Sequence, residues 1–322
     1  MESVPFALWF DHKSASAMAR KQRLDLELVA RGLAASRQQA QQLIRAGRVR
    51  LGDRVLDKPG TEVLPEAELL VQQPPRFVSR GGEKLLRALD TFPLAVQGRV
   101  CLDGGISTGG FSDCLLQHGA SRVYGIDVGY GQTAWSLRSD PRVVLRERTN
   151  LRHLSPADLY GPEDPWPDLA VADVSFISLA LVLPALLGLL QSEVPVDLVL
   201  LVKPQFEVGK GRVGKGGVVR DAAAHCDAIA GVIAAAGALG LVACGLVASP
   251  ITGPAGNHEY LLWLRRSGGV QQHVEHASRP DQSGPDQSSH SQPASPAATG
   301  VTLAQIKALV ASTLTARAPG DG

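Results

Sequence analysis

Residues 102–120 read "LDGGISTGGFSDCLLQHGA", which is an apolar strand end, a glycine-rich turn and the start of a helix. Glycines at such a turn let the backbone approach a ligand closely, and the pattern is typical of nucleotide-binding α/β domains. In these domains the ligand lies beyond the carboxyl ends of the strands, beside the first strand–helix turn. We therefore expect a ligand site at this turn.

The sequence around the turn alternates strands with helices. Six apolar segments predict strands, at 99–105, 122–129, 168–176, 197–204, 241–250 and 259–265. The alternation, from about residue 79 to 266, predicts an α/β fold with a mostly parallel sheet covered by helices on both faces. Residues 228–248 are uncharged over about the length of a bilayer span, but they are mostly Ala and Gly. We interpret them as a helix closed by Gly240 and then a buried strand.

The glycine turn does not match the usual phosphate-binding patterns. A P-loop needs Lys and then Ser or Thr after its last glycine, whereas Gly110 is followed by Phe111. The dinucleotide pattern G-x-G-x-x-G is also absent, and a nicotinamide dehydrogenase is kept only as an alternative. The strand ends instead with Asp103, and an anion there would repel a pyrophosphate but suit a ligand with an ammonium and a sulfonium. That ligand is S-adenosyl-L-methionine.

A second acidic residue follows at the end of the next predicted strand. Asp127 is placed to accept hydrogen bonds from ribose hydroxyls. Alternatively, Asp103 caps the following helix and Asp127 is a turn residue. The residues expected to contact the cofactor are Asp103, Gly105, Ser107, Thr108, Gly109, Phe111 and Asp127.

Residues 20–72 predict a separate small α+β unit. One helix ends at Gly32, a second begins after Ser36 and ends at Gly47, and a hairpin turns at Gly52-Asp53. Basic residues are concentrated there, which is either a solvated charged face or a nucleic-acid surface. The pattern "RLDLELVARGLAASRQQAQQLIRAGRVRLGDRVL" resembles the S-four-type RNA-binding domain. The resemblance favours RNA binding, by Arg23, Arg37, Arg45, Arg48 and Arg50.

The remaining segments and the composition set the context. We expect a flexible N-terminal extension at 1–19, a linker at 73–78, a disordered insert at 267–300, and a C-terminal helix and tail at 301–322. The net charge of the 322-residue chain is +1, and its four cysteines lie in apolar surroundings without C-x-x-C pairing. Together with the absence of an export signal, this indicates a reducing, cytoplasmic location and no stable membrane association.

Four charged residues stand at predicted strand ends or on the opening helix: Lys84, Asp173, Lys203 and Glu259. The blocks around them, "FVSRGGEKL", "LDGGISTGGFSDCLL", "ADVSFISL", "LVKPQFE" and "GNHEYLLWL", resemble the TlyA family over about residues 20–266. These proteins are ribosomal RNA 2′-O-methyltransferases related to the FtsJ group, formerly called hemolysins. The resemblance implies a Rossmann-like class I SAM-dependent methyltransferase domain with a mostly parallel sheet at 79–266, preceded by a small α+β S-four-type RNA-binding domain. Gly104 and Ile106 depart from the family's usual Val or Ile and Ala, without adding charge.

The resemblance also implies a reaction. The family's catalytic Lys–Asp–Lys–Glu set matches Lys84, Asp173, Lys203 and Glu259, and its substrate is cytidine in 23S and in some cases 16S ribosomal RNA. We expect Lys203 to polarise or deprotonate a ribose 2′-hydroxyl and Asp173 to orient it. No metal-ligand cluster is visible among the histidines, so no metal is expected, and the expected partners are ribosomal RNA and ribosomal subunits. A membrane-active hemolysin and a non-catalytic ribosomal-RNA-binding factor remain as alternatives.

Overall fold

The computed structural model describes residues 20–268 and 300–316. The chain divides into two compact units, Met1–Pro75 and Arg76–Gly322, and each is described by itself. The predicted extension at 1–19, nearly all of the predicted insert at 267–300, and the tail from 317 lie outside the described residues.

Unit 1 is a pair of helices with short antiparallel strands. Its elements are β1 (Gln22–Arg23), α1 (Leu24–Ala30), α2 (Arg37–Arg45), β2 (Val49–Leu51), β3 (Arg54–Val55), β4 (Glu62–Val63) and β5 (Leu69–Val71). The Ser36 hydroxyl caps α2 by accepting a hydrogen bond from the Gln39 backbone N–H, as its N-cap position predicts. Gly47 and Gly52 have positive φ and make the turns before and within the β2–β3 hairpin. Strand β2 pairs with both β3 and β5.

The helices of unit 1 are held by a buried apolar core and one buried charge. Leu24, Leu28 and Ile44 are completely buried between the helices and strands. The Asp25 carboxylate is also buried, and it accepts hydrogen bonds from the guanidinium groups of Arg23 and Arg37. A buried carboxylate needs such partners, so these two arginines stabilise the fold of the unit.

Unit 2 is a seven-stranded sheet with helices on both faces. Its elements are α3 (Gly81–Thr91), β6 (Val100–Gly104), α4 (Gly110–Gln117), β7 (Arg122–Ile126), α5 (Trp135–Arg138), β8 (Val143–Arg146), α6 (Pro156–Leu159), β9 (Leu169–Ala172), α7 (Leu179–Gly188), β10 (Val196–Val202), α8 (Pro204–Glu207), α9 (Ala222–Gly237), β11 (Val242–Ala248), β12 (Tyr260–Arg266) and α10 (Leu303–Thr315). Three short 3₁₀ helices, at Leu151–His153, Lys210–Arg212 and Lys215–Gly217, complete them.

The sheet has the order β11-β12-β10-β9-β6-β7-β8. Strands β10, β9, β6, β7 and β8 are parallel, and β12 is antiparallel to both of its neighbours. The mostly parallel α/β sheet is therefore confirmed. Edge strand β8 was not predicted from the sequence, because the segment "VVLR" is short and lies between charged residues. Buried apolar residues cover both faces of the sheet in two clusters.

The Ala- and Gly-rich stretch folds as a helix and a strand. Helix α9 starts earlier than the stretch and ends at Gly237, and Gly240 has positive φ in the turn before β11. No helix within the described ranges is both long and apolar enough to cross a membrane. Helix α10 packs against α9 through the buried side chains of Ile306 and Val310, and the Thr302 side chain caps its first turn.

Candidate active site

The glycine turn after β6 is built from residues that need special backbone conformations. Gly105 and Gly109 have φ of +87° and +101°, which side-chain-bearing residues rarely adopt, and Ser107 has φ of +48°. A Cβ on Gly105 would lie 2.9 Å from the Asp173 carbonyl oxygen. The turn is therefore packed closely against the end of β9, where a residue larger than glycine would collide with the backbone.

Two cavities open on either side of this turn. The first, which we call the inner cavity, has a volume of about 220 Å³ and is lined by Lys84, Gly105, Ser107, Thr108 and Phe111, among others. The second, the outer cavity, has a volume of about 470 Å³ and is lined by Asp127. Gly105, Ser107 and Asp173 line both cavities. The two cavities therefore adjoin at these residues, Asp173 among them, and together they offer one elongated site.

Asp127 organises the outer cavity. Its carboxylate accepts hydrogen bonds from the backbone N–H groups of Ser107 and Gly129, each at 2.7 Å. These contacts fix the carboxylate at the end of β7, and a carboxylate oxygen can accept more than one hydrogen bond. Asp127 therefore lies where the sequence predicts a contact to ribose hydroxyls.

Asp103 lies deeper in the protein than its place beside the glycine turn suggests, and its contact to the cofactor stays a prediction. Its side chain is completely buried and lines neither cavity, and one oxygen, Oδ2, accepts a 2.6 Å hydrogen bond from the Ser112 hydroxyl. Burial raises the pKa of Asp103 to about 7, so at neutral pH the carboxyl group is only partly charged. Its other oxygen, Oδ1, is buried and finds no hydrogen-bond partner among the described residues. Gly109 also lines neither cavity, and it instead begins helix α4 as the N-cap residue.

The four charged residues predicted as catalytic come together at the carboxyl edge of the sheet. Asp173 and Lys203 directly follow β9 and β10, whereas Glu259 directly precedes β12. Because β12 runs opposite to its neighbours, its first residue reaches the same edge as their last residues. Lys84 arrives from the first turns of α3.

These residues form a chain of alternating charge. The Lys84 ammonium lies 2.6 Å from Glu259 Oε2 and 3.8 Å from Asp173 Oδ2. The Lys203 ammonium lies 2.6 Å from Asp173 Oδ1 and donates a 2.8 Å hydrogen bond to the Ser175 hydroxyl. Lys84, Lys203 and Glu259 are buried, and the Asp173 side chain keeps 22% of its surface exposed. The chain of charges therefore reaches the cavities mainly at Asp173.

Two residues of the site were missed by the sequence analysis. Ser175 binds Lys203, and Phe176 is 91% exposed with φ of +65°. The Phe176 ring packs 5.1 Å from the ring of Phe206, which lies 5.9 Å from the Lys203 ammonium. An exposed aromatic ring on a strained backbone is unfavourable without a partner. Both residues follow Asp173 within "DVSF", so their proximity in sequence was the available signal.

The described residues contain no group of three or more His, Cys, Asp or Glu side chains that could hold a metal ion. All four cysteines of the chain are free thiols. Cys101 and Cys114 are buried, and burial raises the pKa of each thiol to about 12.

The arginines predicted to bind RNA fall into two groups. Arg45 and Arg50 are exposed and Arg48 is half-buried, and none of the three is in an ion pair within the described residues. Arg23 and Arg37, by contrast, both pair with Asp25. Pairing with Asp25 partly neutralises the charge of Arg23 and Arg37. Arg45, Arg48 and Arg50 therefore form the part of the basic surface of unit 1 that is not neutralised in this way.

Comparisons with known proteins agree with this architecture. Residues 77–266 match the family model of the FtsJ-like methyltransferases, and residues 22–69 match that of the S4 domain. The fold and site therefore define an FtsJ-like methyltransferase that carries an S4 domain.

Individual relatives narrow this class. The 16S/23S rRNA (cytidine-2′-O)-methyltransferase TlyA of Mycobacterium tuberculosis is 54% identical over 250 residues, which are 77% of this chain and 91% of that protein. Hemolysin A of Brachyspira hyodysenteriae is 38% identical over 74% of this chain and 98% of its own length. The solved structure of a hemolysin candidate from Streptococcus thermophilus has a TM-score of 0.60 at 37% identity and covers 91% of this chain and 96% of that one. The chain belongs to the TlyA family.

Proposed function

We propose that this chain transfers a methyl group from S-adenosyl-L-methionine to the 2′-hydroxyl of a cytidine ribose in ribosomal RNA, in 23S and also in 16S. The observation that carries the proposal is the chain of charges from Glu259 through Lys84 and Asp173 to Lys203, which meets both cavities at Asp173. The M. tuberculosis relative is named for the same reaction, which supports the proposal. We infer a cytoplasmic location for the protein, because ribosomal RNA is the proposed acceptor.

The residues of the two cavities suit this cofactor. Gly105 lines both cavities without a side chain that would occupy them, and Asp127 presents a fixed carboxylate to hydroxyl groups. The unpaired Oδ1 of Asp103 beneath the turn can take a hydrogen bond from a donor or a water molecule that reaches it. When bound, the cofactor supplies a methyl group made electrophilic by its positively charged sulfur.

The four residues of the chain of charges activate and orient the acceptor hydroxyl. Lys203 would polarise the 2′-hydroxyl or take its proton, while the bound cofactor would supply the methyl group. Asp173, 2.6 Å away, stabilises the ammonium that results, and Ser175 holds the Lys203 side chain in place. Lys84 and Glu259 fix the orientation of Asp173 from the other side. Alignment of the two reactants in the cleft contributes much of the acceleration.

The acceptor side of the cleft has features that suit a nucleotide. Phe176 presents an exposed ring against Phe206, which lies near the Lys203 ammonium, and unstacked RNA bases are held by stacking on such rings. The basic residues Arg45, Arg48 and Arg50 of unit 1 offer contacts to the RNA backbone. Backbone contacts position the substrate, and the cleft then selects one ribose.

The test is a comparison of 2′-O-methylation in ribosomal RNA from cells with and without this protein. We expect one or two cytidines to lose the modification when the protein is absent and to regain it with the wild-type chain. The variant Asp173→Asn, which breaks the chain of charges, should not restore it. Unchanged methylation in its absence would contradict the proposal.

A membrane-active function is the second candidate, because one relative bears the name Hemolysin A. It is separable by experiment, since leakage of dye-loaded liposomes does not require methyl transfer. Leakage by the wild-type chain that Asp173→Asn leaves unchanged would favour membrane activity. The absence of leakage together with methylation would favour the transferase.

A further inference from the structure

A third cavity of unit 2, which we call the lateral cavity, lies beside the active site. Its volume is about 520 Å³, and its walls are α3, the segment after β11 and helix α10. Arg80 and Arg87 line it from α3, His258 from the loop before β12, and Leu309 from α10. None of the roles assigned above uses this space.

The lateral cavity is cationic. Its two arginines supply the positive charge, and no Asp or Glu of the described residues lines it. Neither Arg80 nor Arg87 makes a side-chain hydrogen bond or an ion pair with a described residue. Arginines without a carboxylate partner in a concave surface are suited to bind an anion.

The two arginines are aligned with the active site. Arg80, Lys84 and Arg87 are spaced four and three residues apart, so they share one face of α3 and its N-cap. With a rise of 1.5 Å per residue, Arg80 lies about 6 Å before Lys84 along the axis and Arg87 about 4.5 Å after it. Arg80, Ile251 and Thr252 line both the inner and the lateral cavity. The cationic wall of the lateral cavity is therefore continuous with Lys84 at the edge of the inner cavity.

We propose that the lateral cavity binds the phosphodiester backbone of single-stranded RNA next to the target nucleotide, with Arg87 and Arg80 as the phosphate contacts. This inference rests on the proposed function, since the acceptor ribose at Lys203 must bring its neighbouring phosphates along the cleft. A strand held at α3 would keep the flipped-out nucleotide at the active site. Helix α10 closes the cavity on its outer side, which gives the C-terminal helix a part in substrate binding.

The test measures RNA binding apart from methyl transfer. A ribosomal RNA fragment that carries the methylation site is titrated with the full chain in the presence of S-adenosylhomocysteine, between about 50 and 200 mM salt. We expect Arg87→Gln to raise the Kd about tenfold and to reduce the slope of log K against log salt by about 0.7, the loss of one phosphate contact. Arg87→Lys, which keeps the charge, should restore most of the slope. The matched control is Lys307→Gln, which removes an exposed positive charge from α10 outside the cavity and should change neither quantity.

The outcomes separate this inference from the proposed function. An Arg87→Gln variant with wild-type Kd and salt slope would overturn the lateral site, and so would an equal loss in Lys307→Gln, which would indicate a general charge effect. In methylation assays the Arg87 variant should raise the KM for RNA and keep kcat at saturating RNA. If the wild-type chain transfers no methyl group but binding responds as expected, the proposed function fails and the phosphate site stands.

Discussion

Replacing Lys203 with alanine should abolish most methyl transfer while leaving the protein folded. The ammonium group of Lys203 contacts Asp173 at 2.6 Å and Ser175 at 2.8 Å, and alanine removes both contacts. Asp173 keeps Lys84 at 3.8 Å and remains 22% exposed, so water can replace part of what it loses. The partly exposed Asp173 carboxylate therefore keeps partners after the substitution.

The expected magnitudes follow from this geometry. Loss of a positioned acid–base group lowers kcat by about 10²- to 10⁴-fold, which corresponds to about 3–5 kcal/mol of transition-state stabilisation. The free energy of unfolding should fall by only about 1–2 kcal/mol, below the 3–5 kcal/mol typical of a fully buried pair that loses one member. Because domains are stable by about 5–15 kcal/mol, the variant should stay folded.

The assay is transfer of tritium from labelled S-adenosylmethionine to ribosomal RNA, with kcat and KM determined separately. Thermal unfolding and the Kd of S-adenosylhomocysteine are measured on the same samples, and Lys307→Ala is the control for loss of one surface lysine. A Lys203→Ala enzyme whose kcat is within tenfold of the wild type would refute the assignment of Lys203 as the proton acceptor. A lost cofactor affinity would instead place Lys203 in cofactor binding.

Three further predictions concern the cofactor turn, the basic surface and the buried acid. Asp127→Ala should weaken S-adenosylhomocysteine binding by at least about tenfold in calorimetry, because the carboxylate that faces the outer cavity and pins the turn is lost. Arg45→Gln and Arg48→Gln should each weaken RNA binding and make its salt dependence shallower by about 0.7–0.9 in a binding titration. Asp103→Asn should stabilise the protein by about 2–3 kcal/mol more at pH 8 than at pH 5, measured by urea unfolding. The sign follows because burial raises the pKa of Asp103 to about 7, so the stability that this group contributes is full below the unfolded value near 4 and is lost as the pH rises to 7.

The predictions for Asp127 and Asp103 each have an outcome that contradicts them, and the arginine prediction has a comparison variant. Unchanged cofactor affinity in Asp127→Ala would show that another group holds the outer end of the ligand. An Arg37→Gln variant separates the two arginine groups, since it should lower the stability of unit 1 through Asp25 as well as RNA affinity. Equal stabilisation by Asp103→Asn at both pH values would mean that folding does not raise the pKa of Asp103.

Much of the architecture follows from local sequence. The buried strands are continuous apolar runs, and turns are fixed by glycines at positive φ, such as Gly105 and Gly240, which few other residues tolerate. Helix starts follow from capping residues such as Ser36. Strand β8 was missed because an edge strand buries little and "VVLR" shows no extended apolar run.

The site itself depends on contacts between residues far apart in the chain. Lys84 and Glu259 meet across 175 positions, and they do so because one antiparallel strand brings Glu259 to the edge where the parallel strands end. The sequence by itself determined which charged residues stand at the ends of elements and where the glycine turn lies. Only the tertiary structure decided that Asp103 turns inward to Ser112 and that Arg23 and Arg37 are bound to Asp25. Burial and pairing decide the charge of an ionisable group, and both are properties of the packed chain that no local pattern contains.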